Sequence, residues 1–311
     1  MSEREIELIS RALRDSDTFP RAKADRIAIY FDNLKDFFSA SETEMRDVKN
    51  VKGKRVLSSE DIQKIMAIKA KGLISPEKSF ADNYISLVAR EFTSRQIKNL
   101  RGLSLESFNT NPFLIPSLNL STPKDVTRFN VYNAATRSIV TSFGNALEYL
   151  LLGTSEELGK GRDGWDIVRD DKQGKKEWFQ IKSGNNDMDA DQIRYWTRKI
   201  VEVEGKGERG YIGMAYGKTD DKTVTMGLLK QYMPDWEART LIGRDLWNRL
   251  SGNQAMHTQV IDILRKSAVD VLNGKDMLSE LEDCVLRITK EFIEKYGDGE
   301  EGVQKYIDDL F

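Results

Sequence analysis

Two residue types that serve many enzymes are almost missing from the sequence. Its 311 residues include one cysteine, Cys284, and one histidine, His257. A single cysteine excludes an intramolecular disulfide and a cysteine-based zinc cluster. A single histidine makes every Ser/His or Cys/His catalytic arrangement, and every histidine-ligated zinc site, depend on His257, and its neighbours in the sequence support none of them. The spacing of apolar residues around Cys284 predicts a core position in a helix.

Long apolar runs and an excess of charge of one sign are also absent. No run approaches the roughly 20 apolar residues needed to span a bilayer. The first seven residues are acidic and lack an apolar segment, so we expect a cytoplasmic protein without a signal peptide or membrane anchor. The 48 lysines and arginines nearly balance the 50 acidic residues, and the net charge is −2. A site for a polyanion must therefore come from a local concentration of basic residues.

A predicted β-hairpin occupies residues 164–184. Two segments rich in Trp, Phe, Ile and Val flank a polar turn that contains glycine, which is the pattern of two antiparallel strands joined by a short loop. If the turn is centred near Gly174, antiparallel pairing places Asp166 opposite Gln180 or Lys182.

The alternation of side chains along a strand predicts what the second strand presents on each face. Gln180 and Lys182 share one face, and Phe179 and Ile181 share the other, which we expect to be the buried one. A carboxylate from Asp166, an amide and an ammonium therefore converge on one surface of the sheet.

The helix predicted before the hairpin adds a second acid. Thr122 as N-cap and Pro123 at the first helical position open this helix, apolar residues follow at helical spacing, and the helix ends at Gly153. Glu148 lies at the edge of the apolar stripe, a costly place for a carboxylate without a positive partner. A structural salt bridge and a metal-binding role directed at the hairpin both account for it.

These residues suit metal-dependent hydrolysis of a phosphodiester bond. Hard oxygen ligands from Asp166 and Glu148, with the Ile181 carbonyl, are of the kind that binds Mg²⁺. The metal polarises the phosphate and lowers the pKa of the attacking water, while Lys182 orients that water or stabilises the charged phosphate. Asp163 is an alternative acid, although it precedes the predicted strand.

A nucleotide cofactor is not expected. Residues 153–161 superficially suggest a phosphate-binding loop, but Gly161 stands where Ser or Thr would hold magnesium. Residues 160–164 are better interpreted as a flexible, phosphate-accessible approach to the hairpin.

The order of these residues resembles the PD-(D/E)xK nuclease superfamily, with Gln180-Ile181-Lys182 in place of the (D/E)xK tripeptide. The departure is Gln180, a neutral amide where a carboxylate is usual. In the superfamily an acid from the preceding helix can offset this loss, and Glu148 is placed for that role. The resemblance implies an α/β fold with a mixed β-sheet core flanked by helices. It also implies Mg²⁺ as the cofactor, and Asp166, Glu148, Gln180 and Lys182 as the catalytic residues.

Further motifs resemble the branch of type II restriction endonucleases that cuts GGNCC-like sites. They are Asn111-Pro112-Phe113 after a long helix, Phe143-Gly144 before Glu148, Lys182-Ser183-Gly184 before a helix, and Leu246-Trp247-Asn248-Arg249-Leu250. The resemblance covers roughly residues 80–290. It implies a homodimer on a palindromic DNA duplex, cleavage of both strands and dependence on magnesium.

Polar residues that follow the hairpin are candidates for reading bases, because Asn and Gln pair with adenine edges and Arg with guanine. These candidates are Asn185, Asn186, Gln192, Arg194 and Lys199. Residues of these types are, however, more often ordinary surface groups.

A basic turn near the N-terminus is a second candidate for DNA contact. Lys52, Lys54 and Arg55 lie between two short predicted helices, an outline that loosely resembles a helix-hairpin-helix module contacting the DNA backbone. The alternative is a small helical domain with a solvated basic face.

The predicted elements define an α/β protein in two parts. Residues 1–75 form a small all-α N-terminal domain, and residues 76–311 form the catalytic domain. Besides the hairpin, residues 211–216 and 224–229 are predicted as a second strand pair. Two other functions stay open: a DNA repair or recombination nuclease of the same fold, and a non-catalytic DNA-binding protein whose site has decayed at Gln180.

Overall fold

The computed structural model describes residues 3–15, 18–31, 33–48, 55–171 and 173–311. Of the predicted contacts in the basic N-terminal turn, Lys52 and Lys54 lie outside these residues, and Arg55 is exposed. Within the described ranges, none of the helices combines the length and the apolar character that crossing a membrane requires.

Helices make up most of the described chain. They are α1 (Glu3–Leu13), α2 (Arg21–Ala28), α3 (Leu34–Ser39), α4 (Glu42–Arg46), α5 (Ser59–Ala70), α6 (Phe80–Arg101), α7 (Leu114–Ser117), α8 (Pro123–Leu152), α9 (Ala190–Glu204), α10 (Val224–Tyr232), α11 (Trp236–Arg239), α12 (Arg244–Ser251), α13 (Met256–Val271), α14 (Met277–Tyr296) and α15 (Gly299–Asp308). The strands are β1 (Leu158–Lys160), β2 (Ile167–Asp170), β3 (Lys176–Lys182), β4 (Arg209–Met214) and β5 (Thr240–Ile242).

The chain divides into two compact units. Unit 1 consists of Met1–Glu91 and Gly144–Leu264, and unit 2 consists of Phe92–Phe143 and Arg265–Phe311. Helices α1 to α5 come from the segment for which the sequence predicts an all-α N-terminal domain. That domain and its boundary at residue 75 remain predictions.

Unit 2 is built around an apolar core of helices. Its buried residues include Leu100, Val126, Ile288 and Phe292. Cys284 belongs to the same core, and its Sγ donates to the Leu100 carbonyl at 3.3 Å. The predicted core position of this cysteine is therefore confirmed.

The strands of the described residues form one five-stranded sheet in unit 1, in the order β1-β2-β3-β4-β5. The β1–β2 and β2–β3 pairs are antiparallel, whereas the β3–β4 and β4–β5 pairs are parallel. Parallel neighbours need a crossover connection, and α9 lies in the connection between β3 and β4. The sheet is therefore mixed, in agreement with the α/β fold expected from the sequence.

The predicted hairpin is formed by β2 and β3, and its turn is closed by Asp171. One side-chain oxygen of Asp171 accepts from the backbone N–H groups of Gln173 and Lys175, both at 2.8 Å. Gly174 has a φ of +75°, a left-handed conformation that glycine adopts without steric cost. The polar residues of the turn thus fix where the two strands begin to pair.

One predicted strand is a helix. Residues 224–229 belong to α10, and β4 pairs with β3 and β5 instead. Thr223 caps this helix, because its Oγ1 accepts from the backbone N–H of Met226 at 3.3 Å. Thr225, Met226 and Leu229 are buried at the spacing of one helix face. A short apolar run suits a buried strand or a helix, and here the cap and the spacing favour the helix.

The expectation of a single buried face on β3 is also wrong. Trp178 and Gln180 are only 5% and 8% exposed, on the face opposite Phe179. The Trp178 ring lies 6.5 Å from that of Trp165 in an apolar cluster. Because β3 has a parallel neighbour and lies inside the sheet, both of its faces are covered.

A buried ion network lies on the Phe179 face of β3. Glu177 is fully buried, and its Oε2 is 2.5 Å from Nη2 of Arg169 on β2. Its other oxygen pairs with Arg249 of α12. Arg249 also lies over the ring of Tyr211 on β4, 5.8 Å from the centroid. A single carboxylate thus connects α12 with the centre of the sheet, and its buried charge is tolerated because it is paired twice.

We expect Glu177→Gln to lower the free energy of unfolding by about 3 kcal/mol, because it leaves two arginine side chains without their carboxylate. Urea denaturation followed by circular dichroism measures the change. The control is Asp170→Asn, which breaks an exposed pair with Lys176 on the same hairpin and changes stability by less than about 0.5 kcal/mol. Equal effects of the two variants would contradict the structural role of Glu177.

Candidate active site

Asp166 is held at the end of the β2–β3 hairpin by three hydrogen bonds. Its backbone N–H donates to the Phe179 carbonyl at 3.0 Å, and its own carbonyl accepts from the N–H of Gly161 at 2.9 Å. Its Oδ2 accepts from the N–H of Ile181 at 2.6 Å. Backbone and side chain of Asp166 are therefore both positioned by β3.

Burial, together with the nearby negative charge of Glu148, raises the pKa of Asp166 to about 6. The hydrogen bond from Ile181 and the positive charges of Lys182 and Lys160 act in the opposite direction. Charges shift a pKa appreciably only over short distances. Glu148, Lys182 and Lys160 thus all lie within electrostatic reach of the Asp166 carboxylate.

Glu148 lies near the C-terminal end of α8 and is half-buried. Its Oε1 is 3.5 Å from Nζ of Lys160, the last residue of β1. Because Glu148 also raises the pKa of Asp166, its carboxylate has both a lysine and a second carboxylate near it. Of the two alternatives in the sequence, the salt bridge is present, and the negative charge of Glu148 also acts on Asp166 of the hairpin. The metal-binding role stays a prediction.

Gln180 places its side-chain amide at the same end of the β2–β3 hairpin as Asp166. Ile167 pairs with Phe179, and continuing this register by one residue places Gln180 opposite Asp166. The Gln180 Nε2 donates to the Ile181 carbonyl at the long distance of 3.4 Å. Its Oε1 is buried and has no hydrogen-bond partner among the residues that the structure describes. Buried oxygens without a partner are uncommon in folded proteins, so this atom is a candidate ligand.

Lys182 ends β3, and its side chain is half-buried on the same face as Gln180. Its carbonyl accepts from the N–H of Ala215 at 3.0 Å, on the side of β4. The Ile181 carbonyl, one residue earlier, therefore points to the opposite side, toward Asp166. The residues that the sequence nominates for catalysis and metal binding are thus brought together at one end of the hairpin.

Two neighbours of this end, Lys160 and Asp163, also have an interpretation from the sequence. Residues 160–164 are predicted as a flexible approach, yet Lys160 belongs to β1 and pairs with Glu148. No local signal marks Lys160, because the fold brings its partner from α8. Asp163, the alternative acid, has a side chain that is 78% exposed, 3.9 Å from Arg162.

The predicted base-reading residues differ in accessibility. Asn185 is buried, and its Nδ2 donates to the Lys218 carbonyl at 3.1 Å and to Asp221 Oδ2 at 2.7 Å. Its amide therefore holds a loop in place. The more accessible candidates are Asn186, Gln192 and Arg194, which are exposed, and Lys199, which is half-buried. Base reading by any of these residues remains a prediction.

The oxygen atoms at the end of the hairpin suit a hard cation. Carboxylates from Asp166 and Glu148, the Ile181 carbonyl and the Gln180 amide are ligands that Mg²⁺ accepts. Across the described ranges, no group of three or more His, Cys, Asp or Glu side chains is placed to hold a metal. A bound ion would therefore depend on the neutral oxygens as well as on the two carboxylates.

Comparison with protein families decides the class of the protein. The family model described as Type II restriction endonuclease EcoO109I matches residues 80–271, more than half of the chain. The chain belongs to this family of type II restriction endonucleases. The restriction endonuclease is accordingly a nuclease that acts on DNA, and the family predicted from the motifs is confirmed. The matched residues begin at the first residue of α6 and include the whole candidate site. A comparison with curated proteins finds no match.

The raised pKa of Asp166 makes the stability of the restriction endonuclease depend on pH. A carboxyl group whose pKa rises from 3.8 to about 6 on folding stabilises the fold fully below pH 4, and this contribution is lost as the pH rises through 6. We expect Asp166→Asn, which keeps an oxygen for the Ile181 N–H, to exceed the parent in stability by about 1 to 2 kcal/mol at pH 7.5. At pH 4 the two proteins should be equally stable.

Urea unfolding without added metal ions at both pH values measures this difference. Asp163→Asn, a change at an exposed carboxylate close to the site, is the control and should match the parent at both pH values. An Asp166→Asn variant that is less stable than the parent at pH 7.5 would contradict the cost of burying the ionised carboxylate.

Proposed function

We propose that the protein is a Mg²⁺-dependent type II restriction endonuclease that hydrolyses phosphodiester bonds in both strands of a specific, palindromic DNA site. The observation that carries this proposal is the convergence of Asp166, Glu148 and the buried Gln180 oxygen at the end of β3, beside Lys182, where that oxygen has no hydrogen-bond partner among the described residues. Family membership supports the reaction class. A homodimer suits a palindrome, because two-fold symmetry presents the same site to each strand.

The residues present fit a hard divalent cation. Oε1 of Gln180 is buried and without a hydrogen-bond partner in the described part of the chain. The Ile181 carbonyl lies on the β2 side of β3, the side on which the Ile181 N–H donates to Asp166. Asp166, Glu148 and the Ile181 carbonyl would hold the ion, with Gln180 as a further oxygen. A bound Mg²⁺ would polarise the scissile phosphate and lower the pKa of the attacking water.

Lys182 and the contacts of Asp166 provide the remaining chemistry. The Ile181 N–H fixes Oδ2 of Asp166 at 2.6 Å and so orients the whole carboxylate. The Lys182 ammonium stabilises the negative charge that develops on the phosphate, or orients the attacking water. Ile181, which holds the Asp166 carboxylate, and Lys182 are adjacent residues of one strand. The positions of the Asp166 carboxylate and the Lys182 ammonium are therefore set before DNA binds.

The accessible residues after β3 are the best candidates for reading the DNA sequence. Asn186 lies in the loop after β3, and Gln192, Arg194 and Lys199 follow on α9. Asn185 supports this loop from inside. The N-terminal domain of residues 1–75, with Lys52, Lys54 and Arg55, would add contacts to the DNA backbone. The protein acts in the cytoplasm, without a nucleotide cofactor.

Incubation of the purified protein with plasmid DNA in Mg²⁺ or in EDTA tests this function. We expect discrete fragments in Mg²⁺ and intact plasmid in EDTA. Smeared products or nicking at junctions would indicate a repair or recombination nuclease of the same fold. A gel shift without cleavage would indicate a non-catalytic DNA-binding protein whose site has decayed at Gln180.

We expect Asp166→Ala and Lys182→Ala each to lower the cleavage rate by more than about a thousandfold, because they remove a metal ligand and the phosphate-stabilising ammonium. Binding to the same DNA in Ca²⁺, measured by gel shift, should change by less than about fivefold. Asp163→Ala is the matched control and should cut at nearly the parent rate. Cleavage that is lost in Asp163→Ala and kept in Asp166→Ala would move the acid role to Asp163.

A further inference from the structure

Lys160 has two sets of partners on adjacent residues of α8. Its Nζ lies 3.5 Å from Oε1 of Glu148, 2.8 Å from Oη of Tyr149 and 4.4 Å from the centroid of the Tyr149 ring. An ammonium is stabilised by a carboxylate, and also by an aromatic face with a hydroxyl group beside it. The Lys160 side chain is 57% exposed, so it can shift between these partners without displacing packed side chains.

The Tyr149 ring is fixed by a second cation. The guanidinium of Arg11 on α1 lies 4.2 Å from the ring centroid. Arg11 is itself paired with Glu7 at 3.0 Å and with Glu91 at 2.8 Å. The charge of Arg11 is therefore balanced by Glu7 and Glu91, and the Tyr149 ring that faces Lys160 is held in a fixed position.

The positive charge of Lys160 reaches both carboxylates of the proposed metal site. It forms an ion pair with Glu148 and lowers the pKa of Asp166. Lys160 and Lys182 together balance these two carboxylates, because Gln180 carries no charge. A divalent ion that enters this site meets carboxylates that already have a counter-ion, which weakens its attraction.

We propose that Lys160 is an internal counter-ion that competes with the metal ion for Glu148, and that Tyr149, which already accepts a hydrogen bond from the Lys160 ammonium, keeps it when the metal binds. This inference rests on the proposed metal site at Asp166 and Glu148. Lys160 has two opposed effects: it lowers the affinity for a divalent ion, and it lowers the repulsion between the metal-free site and a DNA phosphate. Lys160 is a positioning residue for Glu148.

Binding of Mn²⁺ to the full chain without DNA, followed by electron paramagnetic resonance, tests the proposal. Lys160→Met keeps an apolar stem against Tyr149 and removes the charge, so we expect Mn²⁺ to bind about tenfold more tightly. Lys160→Arg keeps the charge and should stay within about twofold of the parent. Lys176→Met removes the lysine that pairs with Asp170 on the β2–β3 hairpin, controls for net charge and should also stay within about twofold.

The second effect, on the repulsion between the metal-free site and DNA, is measured by the binding of a short DNA duplex in EDTA, followed by fluorescence anisotropy. Lys160→Met should bind about fivefold more weakly than the parent at low salt, and this difference should shrink as salt is added. Lys160→Arg should bind like the parent. A Lys160→Met variant that binds metal-free DNA as well as the parent would overturn the second effect.

The outcomes separate this inference from the proposed function. If Asp166→Ala abolishes Mn²⁺ binding but Lys160→Met binds Mn²⁺ no more tightly than the parent, the counter-ion role is overturned and the metal site stands. Mn²⁺ binding that is absent in the parent, or unchanged in Asp166→Ala, would overturn the metal site and the counter-ion role together.

Tyr149→Phe tests the second partner of Lys160. It keeps the ring and removes the hydroxyl, so the displaced ammonium retains only the aromatic face. Mn²⁺ binding should become about twofold to threefold weaker than in the parent. Unchanged binding would overturn the role of Tyr149.

Discussion

The register between β2 and β3 is the constraint on which the rest of unit 1 depends. Ile167 lies opposite Phe179, and a shift of β3 by one residue would exchange its two faces. Gln180 and Lys182 would then turn toward the arginines that pair with Glu177, and Glu177 would turn into the tryptophan cluster. Such a shift would bury charges and polar groups without their partners, so the different chemistry of the two faces enforces one register.

The candidate site combines this local hairpin with groups that only the fold brings close. Glu148 comes from α8, Lys160 from β1, and Asp166 and Lys182 from the two sides of the hairpin. Hydrogen bonds from β3 hold Asp166. Of the charges around it, those of Glu148 and Lys160 lie on other elements of the fold. The reaction class follows from the family, and the balance of charge at the site follows from these particular neighbours.

Local patterns in the sequence were sufficient for the hairpin and for α8, and they limited the residue opposite Asp166 to Gln180 or Lys182. They failed where an apolar run is short enough to suit either a strand or a helix, where a strand is too short to show a period, and where burial by a distant segment decides. Residues 224–229 are apolar enough for a strand, but the Thr223 cap and burial on one helix face make them helical. β1 and β5 have three residues each, too few to show a period. Asn185 has the chemistry of a base-reading residue, and its burial beneath a loop is visible only in three dimensions.

The buried oxygen of Gln180, which has no hydrogen-bond partner within the described ranges, makes the protein less stable than its packing allows. A buried acceptor without a partner costs about 1 to 3 kcal/mol, and the raised pKa of Asp166 records a second cost at the same place. A ligand that satisfies both groups recovers these costs as binding free energy. If the proposed metal ion binds there, stability of the metal-free protein and affinity for the ion oppose each other at the end of one β-strand, and a variant selected for stability alone would be expected to lose the ion first.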